Sequence, residues 1–193
     1  MYTDRLSGMT RLCQIVILFL AALAAGCNPD NNGKTRASLL SLPYRQFDQT
    51  QSAGWRALAD RQQFQQGAVL IQDYLPLHPE LGPKEKAVLH FHAAQLLAVA
   101  GHESEALVHL EQTAIPDGSS GFPPVAARWN DFVAATRAFL LCARSELMAA
   151  RARMAAGPST PTDLAFLKGI DVLVSHYGES YRDVYLSASQ PRK

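Results

Sequence analysis

KEKAVLHFHAAQLLAVAGHESEALVHLEQT, residues 84–113, is enough to place the chain among helical proteins. Val88, Phe91, Gln95 and Ala98 recur at three- and four-residue spacing, and Leu89, Ala93, Leu96 and Ala100 do the same on a second side. Two apolar stripes on one helix mean that it is buried on more than one face. This predicts a helix over 84–100, stopped by Gly101, and another over 103–114 with Ala106, Leu107 and Leu110 turned inward.

The same spacing continues on both sides. Upstream, Trp55 and Leu58 mark a short helix over 54–59, and Phe64, Ala68, Ile71 and Leu75 mark one over 64–77 that ends before Pro79, Gly82 and Pro83. Downstream, Asp117-Gly-Ser-Ser-Gly-Phe-Pro-Pro is a loop, and helices are expected over 126–141 and 145–155. Gly157-Pro-Ser-Thr-Pro breaks the chain again. Thr162 or Asp163 then caps a helix to about His176, and Tyr181, Val184, Tyr185 and Leu186 dock a last short one. Alternation of the strand type is not sustained anywhere, so the fold class is all-α.

Helices that arrive in pairs invite a search for repeats. Gly101-His-Glu-Ser-Glu-Ala106-Leu107-Val-His-Leu110, preceded by Ala93, Ala94 and Leu97, resembles a tetratricopeptide repeat, in which a small residue closes the first helix and an alanine lets the second approach it closely. Residues 64–79 fit the same frame, with Gly67 in the alanine position and Pro79 at the close. Residues 129–155 fit in outline, with Met148 or Ala149 in that position. The offsets of 39 residues from Gly67 to Ala106 and 81 to Met148 give a period of about 40, against 34 for the family. The resemblance implies a short solenoid of antiparallel helix pairs with a concave groove that holds a peptide. One groove position falls at Arg56, Gln95 and Arg137, with Phe91, His92, Asn130 and Val133 beside it. Two guanidinium groups and an amide in a column suit a peptide backbone or carboxylate. The plainer reading leaves Arg56 and Arg137 solvated or paired with Asp60 or Asp131.

The first residues read differently. Arg5 and Arg11 precede an apolar run, 12–25, broken only by Gln14. The run is short for a membrane span and suits the core of a signal peptide. It ends in Leu23-Ala24-Ala25-Gly26-Cys27, which resembles the lipobox of bacterial lipoproteins, with alanine in place of the usual leucine three residues before the cysteine. The resemblance implies a signal peptide over 1–26, cleavage before Cys27, acylation of its thiol and amine, and attachment to the membrane through that lipid. Asp4 is unusual in a basic leader, so Met9 is the expected start. Residues 27–40, opening with Asn-Pro-Asp-Asn-Asn-Gly, are expected to be the lipidated cysteine and a flexible tether, and 41–190 the helical domain. Asn28 is not the aspartate that retains enteric lipoproteins at the inner membrane, which favours the outer membrane.

Composition narrows the function. Removing 1–26 takes away Arg5, Arg11 and Asp4 and leaves 16 basic and 16 acidic residues of the chain's 18 and 17. A neutral domain with scattered Lys and Arg has no footprint for nucleic acid. Of three cysteines, Cys13 leaves with the signal, Cys27 carries lipid, and Cys142 is expected to be a small buried apolar residue at a helix end. His102, Glu105 and His109 have metal-like spacing, but three ligands on the solvated outer face of a helix are one short of a structural zinc site, and no metal or cofactor is expected. His90 and His92 lie about 200° apart on their helix and cannot share a ligand. A His92–Asp131 acid–base pair is conceivable, with no nucleophile to complete it. The expected function is therefore a non-enzymatic, lipid-anchored envelope module that binds a protein or peptide. The alternatives are a periplasmic inhibitor or immunity protein against a toxin or hydrolase, and a hydrolase using His92 and Asp131.

Overall fold

The computed structural model describes residues 35–115, 123–157 and 160–188. Among them all regular structure is helical, in ten helices: α1 Arg36–Leu40, α2 Tyr44–Phe47, α3 Arg56–Ala59, α4 Phe64–Leu77, α5 Pro83–Ala100, α6 Glu103–Glu111, α7 Pro123–Leu140, α8 Arg144–Ala155, α9 Pro161–Ser175 and α10 Tyr181–Ala188. No helix among the described residues is long and apolar enough to cross a membrane. The lipobox, Cys27, Asn28 and both candidate starts lie outside the described residues. The chain divides into two compact units at Thr113/Ala114.

In the N-terminal unit α5 is the central helix. It packs against α4 on one side and α6 on the other, while α1 and α3 pack on α4. Eleven of its eighteen residues are buried, as the two apolar stripes require. Pro83 opens it at a position where its missing N–H costs nothing, and Glu85 Oε2 accepts from the Gly82 N–H at 2.8 Å. Gly101 closes it with φ of 87°, its N–H donating to Ala98 O and that of His102 to Leu97 O. These two bonds satisfy carbonyls that the helix end leaves orphaned. Residues 36–40 of the expected tether are helical instead. Thr35 Oγ1 accepts from the Ser38 N–H, and Leu39 is buried, because Leu39 offers an apolar anchor that α4 covers.

In the C-terminal unit α7 packs on α8, α9 on both, and α10 on α9. Phe166 of α9 stacks on Phe132 of α7 with ring centroids 4.9 Å apart and meets Trp129 edge-on at 6.2 Å. Arg128, 8% exposed, donates from Nη1 to Arg153 O and Met154 O at 2.8 and 2.9 Å, so a buried cation caps the carbonyl end of α8. The cap of α9 is Thr160, not Thr162 or Asp163. Thr160 Oγ1 accepts from the Asp163 N–H, and Asp163 Oδ2 accepts from the Thr160 N–H at 2.9 Å. Asp163 is the returning half of that capping box.

Three helix turns share one construction. Gln62, Gly101 and Cys142 each follow a helix with positive φ, at 59°, 87° and 52°. Each is bracketed by the same pair of bonds: Gln62 N to Ala59 O with Gln63 N to Leu58 O, the Gly101 pair above, and Cys142 N to Phe139 O with Ala143 N to Ala138 O. The turns are 39 and 41 residues apart, so the same turn recurs between α3 and α4, α5 and α6, and α7 and α8. Two expectations change. The residue five places after each turn is Gly67, Ala106 and Leu147, all buried. Met148 and Ala149 are exposed, so Leu147 fills the slot expected for them. Cys142 is exposed rather than buried, because a turn residue in the left-handed region projects away from the helix. A side chain in that region costs ~1 kcal/mol that glycine does not. Cys142→Gly is accordingly expected to raise stability by about 0.5–1 kcal/mol, read as a rise in urea midpoint at unchanged slope; a fall would mean that the thiol makes contacts worth more than the strain.

Candidate functional site

The densest polar cluster of the N-terminal unit is built around a residue that the sequence did not single out. Asp48, at the end of α2, is fully buried. Its Oδ1 accepts from Trp55 Nε1 at 2.9 Å and from His92 Nδ1 at 2.7 Å, while Gln49 Nε2 donates to Oδ2. Its backbone carbonyl accepts from Arg56 Nε at 2.5 Å. The Arg56 guanidinium lies over the Trp55 ring, 4.3 Å from the centroid. Gln49 Nε2 also donates to the Tyr44 hydroxyl at 3.2 Å.

The electrostatics follow from burial and these donors. Burial alone would raise the Asp48 carboxyl, but His92, Arg56 and the Trp55 N–H outweigh it and hold it at about 2. Burial pushes His92 below the ordinary histidine value against the pull of Asp48. At neutral pH the pair is therefore a carboxylate accepting a hydrogen bond from the Nδ1–H of a neutral ring. It ties the turn after α2 to the middle of α5, across 44 residues of chain.

The expected site residues separate on this geometry. Phe91, His92 and Val133 are buried, at 2%, 3% and 7% exposure, so they belong to packing rather than to an open groove wall. His92 bonds Asp48 and not Asp131, whose Oδ1 accepts from Arg153 Nε at 2.6 Å. Asn130 exchanges both amide bonds with the backbone of Ile115, at 3.1 and 2.9 Å, and so fixes the segment that leads into its own unit. Arg56 and Gln95 are half-buried, and each sits six residues before its turn. Arg137 sits five before its own, so Thr136 holds the matching position, buried and bonded to Phe132 O. The column of Arg56, Gln95 and Arg137 thus loses its third member to a one-residue shift. Arg56 does not need Asp60, since it rests on Trp55 and the Asp48 carbonyl.

His102, Glu105 and His109 do not converge. His102 Nδ1 contacts Glu105 Oε1 at 3.2 Å, while His109 turns inward and is half-buried, not solvated. Its Nδ1 lies 3.0 Å from His90 Nδ1 on α5, and its Nε2 lies 3.0 Å from Gln72 Nε2 on α4. Among the described residues no group of three or more His, Cys, Asp or Glu side chains is placed to hold a metal ion.

Sequence reasoning missed Asp48 and the His90–His109 contact for one reason: both pairs join residues on different helices, at separations that no local period encodes. The chain matches no protein-family model, no curated protein and no solved structure.

Proposed function

We propose that the protein is a lipid-anchored module of the bacterial cell envelope, facing the periplasm, that binds a protein or peptide partner along a short solenoid of helix hairpins. The observation that carries this reading is the repeated turn at Gln62, Gly101 and Cys142, with a buried Gly67, Ala106 or Leu147 five residues on. Helix pairs that recur at a fixed period are the unit from which helical solenoids are stacked, and their concave faces bind extended ligands. Arg56 and Gln95, in matching positions of successive hairpins, are the proposed contacts, and the stack on Trp55 presets the guanidinium for a carboxylate or peptide carbonyl. Residues 12–27 support the anchor, and Asn28 supports the outer membrane.

Two variants test the two halves. Cys27→Ser is expected to move the protein from the membrane to the soluble periplasmic fraction and to abolish labelling by a palmitate analogue. Unchanged fractionation would remove the lipid anchor from the reading. Crosslinking in envelopes is expected to capture one partner with the wild type and to lose it with Arg56→Ala/Gln95→Ala, provided that circular dichroism shows both folded. A partner retained by the folded double variant would move the interface off this groove.

A further inference from the structure

α6 is a short helix held mainly by α5. It has nine residues, of which Ala106 and Leu110 are buried, and Val108 on its outer side is 61% exposed. A helix of that length has little stability of its own and depends on its contacts. Among its polar side chains, His109 reaches both α4 and α5.

With the amide nitrogen of Gln72 turned to His109, hydrogen-bond complementarity links the proton positions in this join. An amide nitrogen can only donate, so Gln72 Nε2 donates to His109 Nε2, which must carry a lone pair. His109 is then the Nδ1–H tautomer and donates to His90 Nδ1, which must carry a lone pair in turn. His90 is therefore the Nε2–H tautomer. The chain from Gln72 through His109 to His90 is complete when both rings are neutral. One added proton can be met by turning the amide over, so that Gln72 accepts from His109 Nε2–H. A proton on both rings sets N–H against N–H across 3.0 Å and has no such remedy.

We propose that Gln72, His109 and His90 form a pH-sensitive join, which holds α6 against α4 and α5 while both rings are neutral and lets α6 open when both rings are protonated. The facing groups agree with this assignment. α4 presents the uncharged Gln72, while its neighbour Asp73 pairs with Arg36. On α5, Lys86 one turn before His90 donates to Pro79 O at 3.3 Å. On α6, Glu105 favours the charged form of His109 but is itself exposed and in contact with His102. Burial, and then His109, push His90 down to about 4, and burial likewise lowers His109.

The sign follows. Opened, each ring takes an ordinary histidine value of about 6.5. A group whose value is depressed when folded adds stability that is complete above the unfolded value and is lost as pH falls. The window for His90 therefore runs from about 6.5 down to about 4.

The test uses the full chain in detergent micelles. Long-range nitrogen–proton spectra at neutral pH are expected to show His109 as the Nδ1–H tautomer and His90 as Nε2–H, with both titrating below the ordinary range. Amide exchange in α6, corrected for its intrinsic pH dependence, is expected to quicken roughly tenfold for each unit of acidification in that window, while α5 changes less. His109→Gln and His90→Gln should each flatten that dependence. Ordinary titration of both rings, or a pH dependence that survives in both variants, would overturn the join. The titration result decides the matter even if a variant fails to fold.

Discussion

Asp48→Ala is expected to remove about 3–5 kcal/mol of stability, because it leaves buried donors without their acceptor. The carboxylate takes bonds from Trp55, His92 and Gln49, and all of that takes place at zero exposure. Truncation strands the indole N–H and the His92 Nδ1–H in an apolar setting where water cannot replace the partner. Against a total of about 5–15 kcal/mol for an ordinary domain, a loss of this size lowers the melting temperature by about 10 °C or more. The acid limb carries a second signature. Asp48 is held at about 2, below an unfolded value near 3.9, so its contribution is complete above that unfolded value and is lost as pH falls through the interval between the two. Wild-type stability should therefore fall steeply below about pH 4, and Asp48→Ala should lack that part of the slope. Adding His92→Phe to Asp48→Ala is expected to recover part of the loss, since it removes one stranded donor. If Asp48→Ala costs less than about 1 kcal/mol, water reaches the cluster and the tie is not what holds α2 to α5.

The elements that sequence exposes and those it hides differ in the range over which their causes act. α4, α5 and α7 through α9 repeat apolar side chains over three or more turns, and α6 over about two and a half, so a local period suffices to find them. Gly101 is legible as a stop because glycine is the residue that takes a left-handed turn at least cost. Gln62 and Cys142 do the same work with ordinary side chains, and nothing in those residue types announces it. That is why the third close-approach slot is read at Met148 or Ala149 instead of Leu147, and Arg137 where Thr136 holds the matching offset from the turn. α1 and α2, with five and four residues, complete too few turns to show a period, although each has one buried anchor, Leu39 and Phe47. Gln95 is placed by the apolar stripes of α5 and its stop at Gly101, and Arg56 only by Trp55 and Leu58 beside it. Asp48 is not placed by its neighbours, because its meaning depends on His92, 44 residues away.

Gly54→Ala is expected to cost about 3–5 kcal/mol through backbone alone. Gly54 has φ of 52°, where a side chain costs ~1 kcal/mol by itself. The larger part comes from what the new methyl meets. An added Cβ would lie 2.0 Å from the Phe47 carbonyl oxygen and 2.7 Å from that residue's Cα, and a backbone cannot swing aside as a long side chain can. Phe47 is itself fixed, with zero exposure and its ring stacked on Tyr74 at 3.6 Å. The turn must therefore open, and opening it separates Asp48 from Trp55, the two ends of one indole hydrogen bond. Gly54→Ala and Asp48→Ala should for that reason be strongly non-additive: once the turn is sprung, the carboxylate has already lost the indole, and the double variant should cost clearly less than the two single losses together. Equilibrium urea unfolding of the four proteins gives the coupling directly. Full additivity would mean that the close approach of Gly54 to Phe47 and the buried carboxylate are separate supports. A large coupling would make the eight residues from Phe47 to Gly54 one device, shaped so that a single glycine lets an acidic side chain reach the centre of α5.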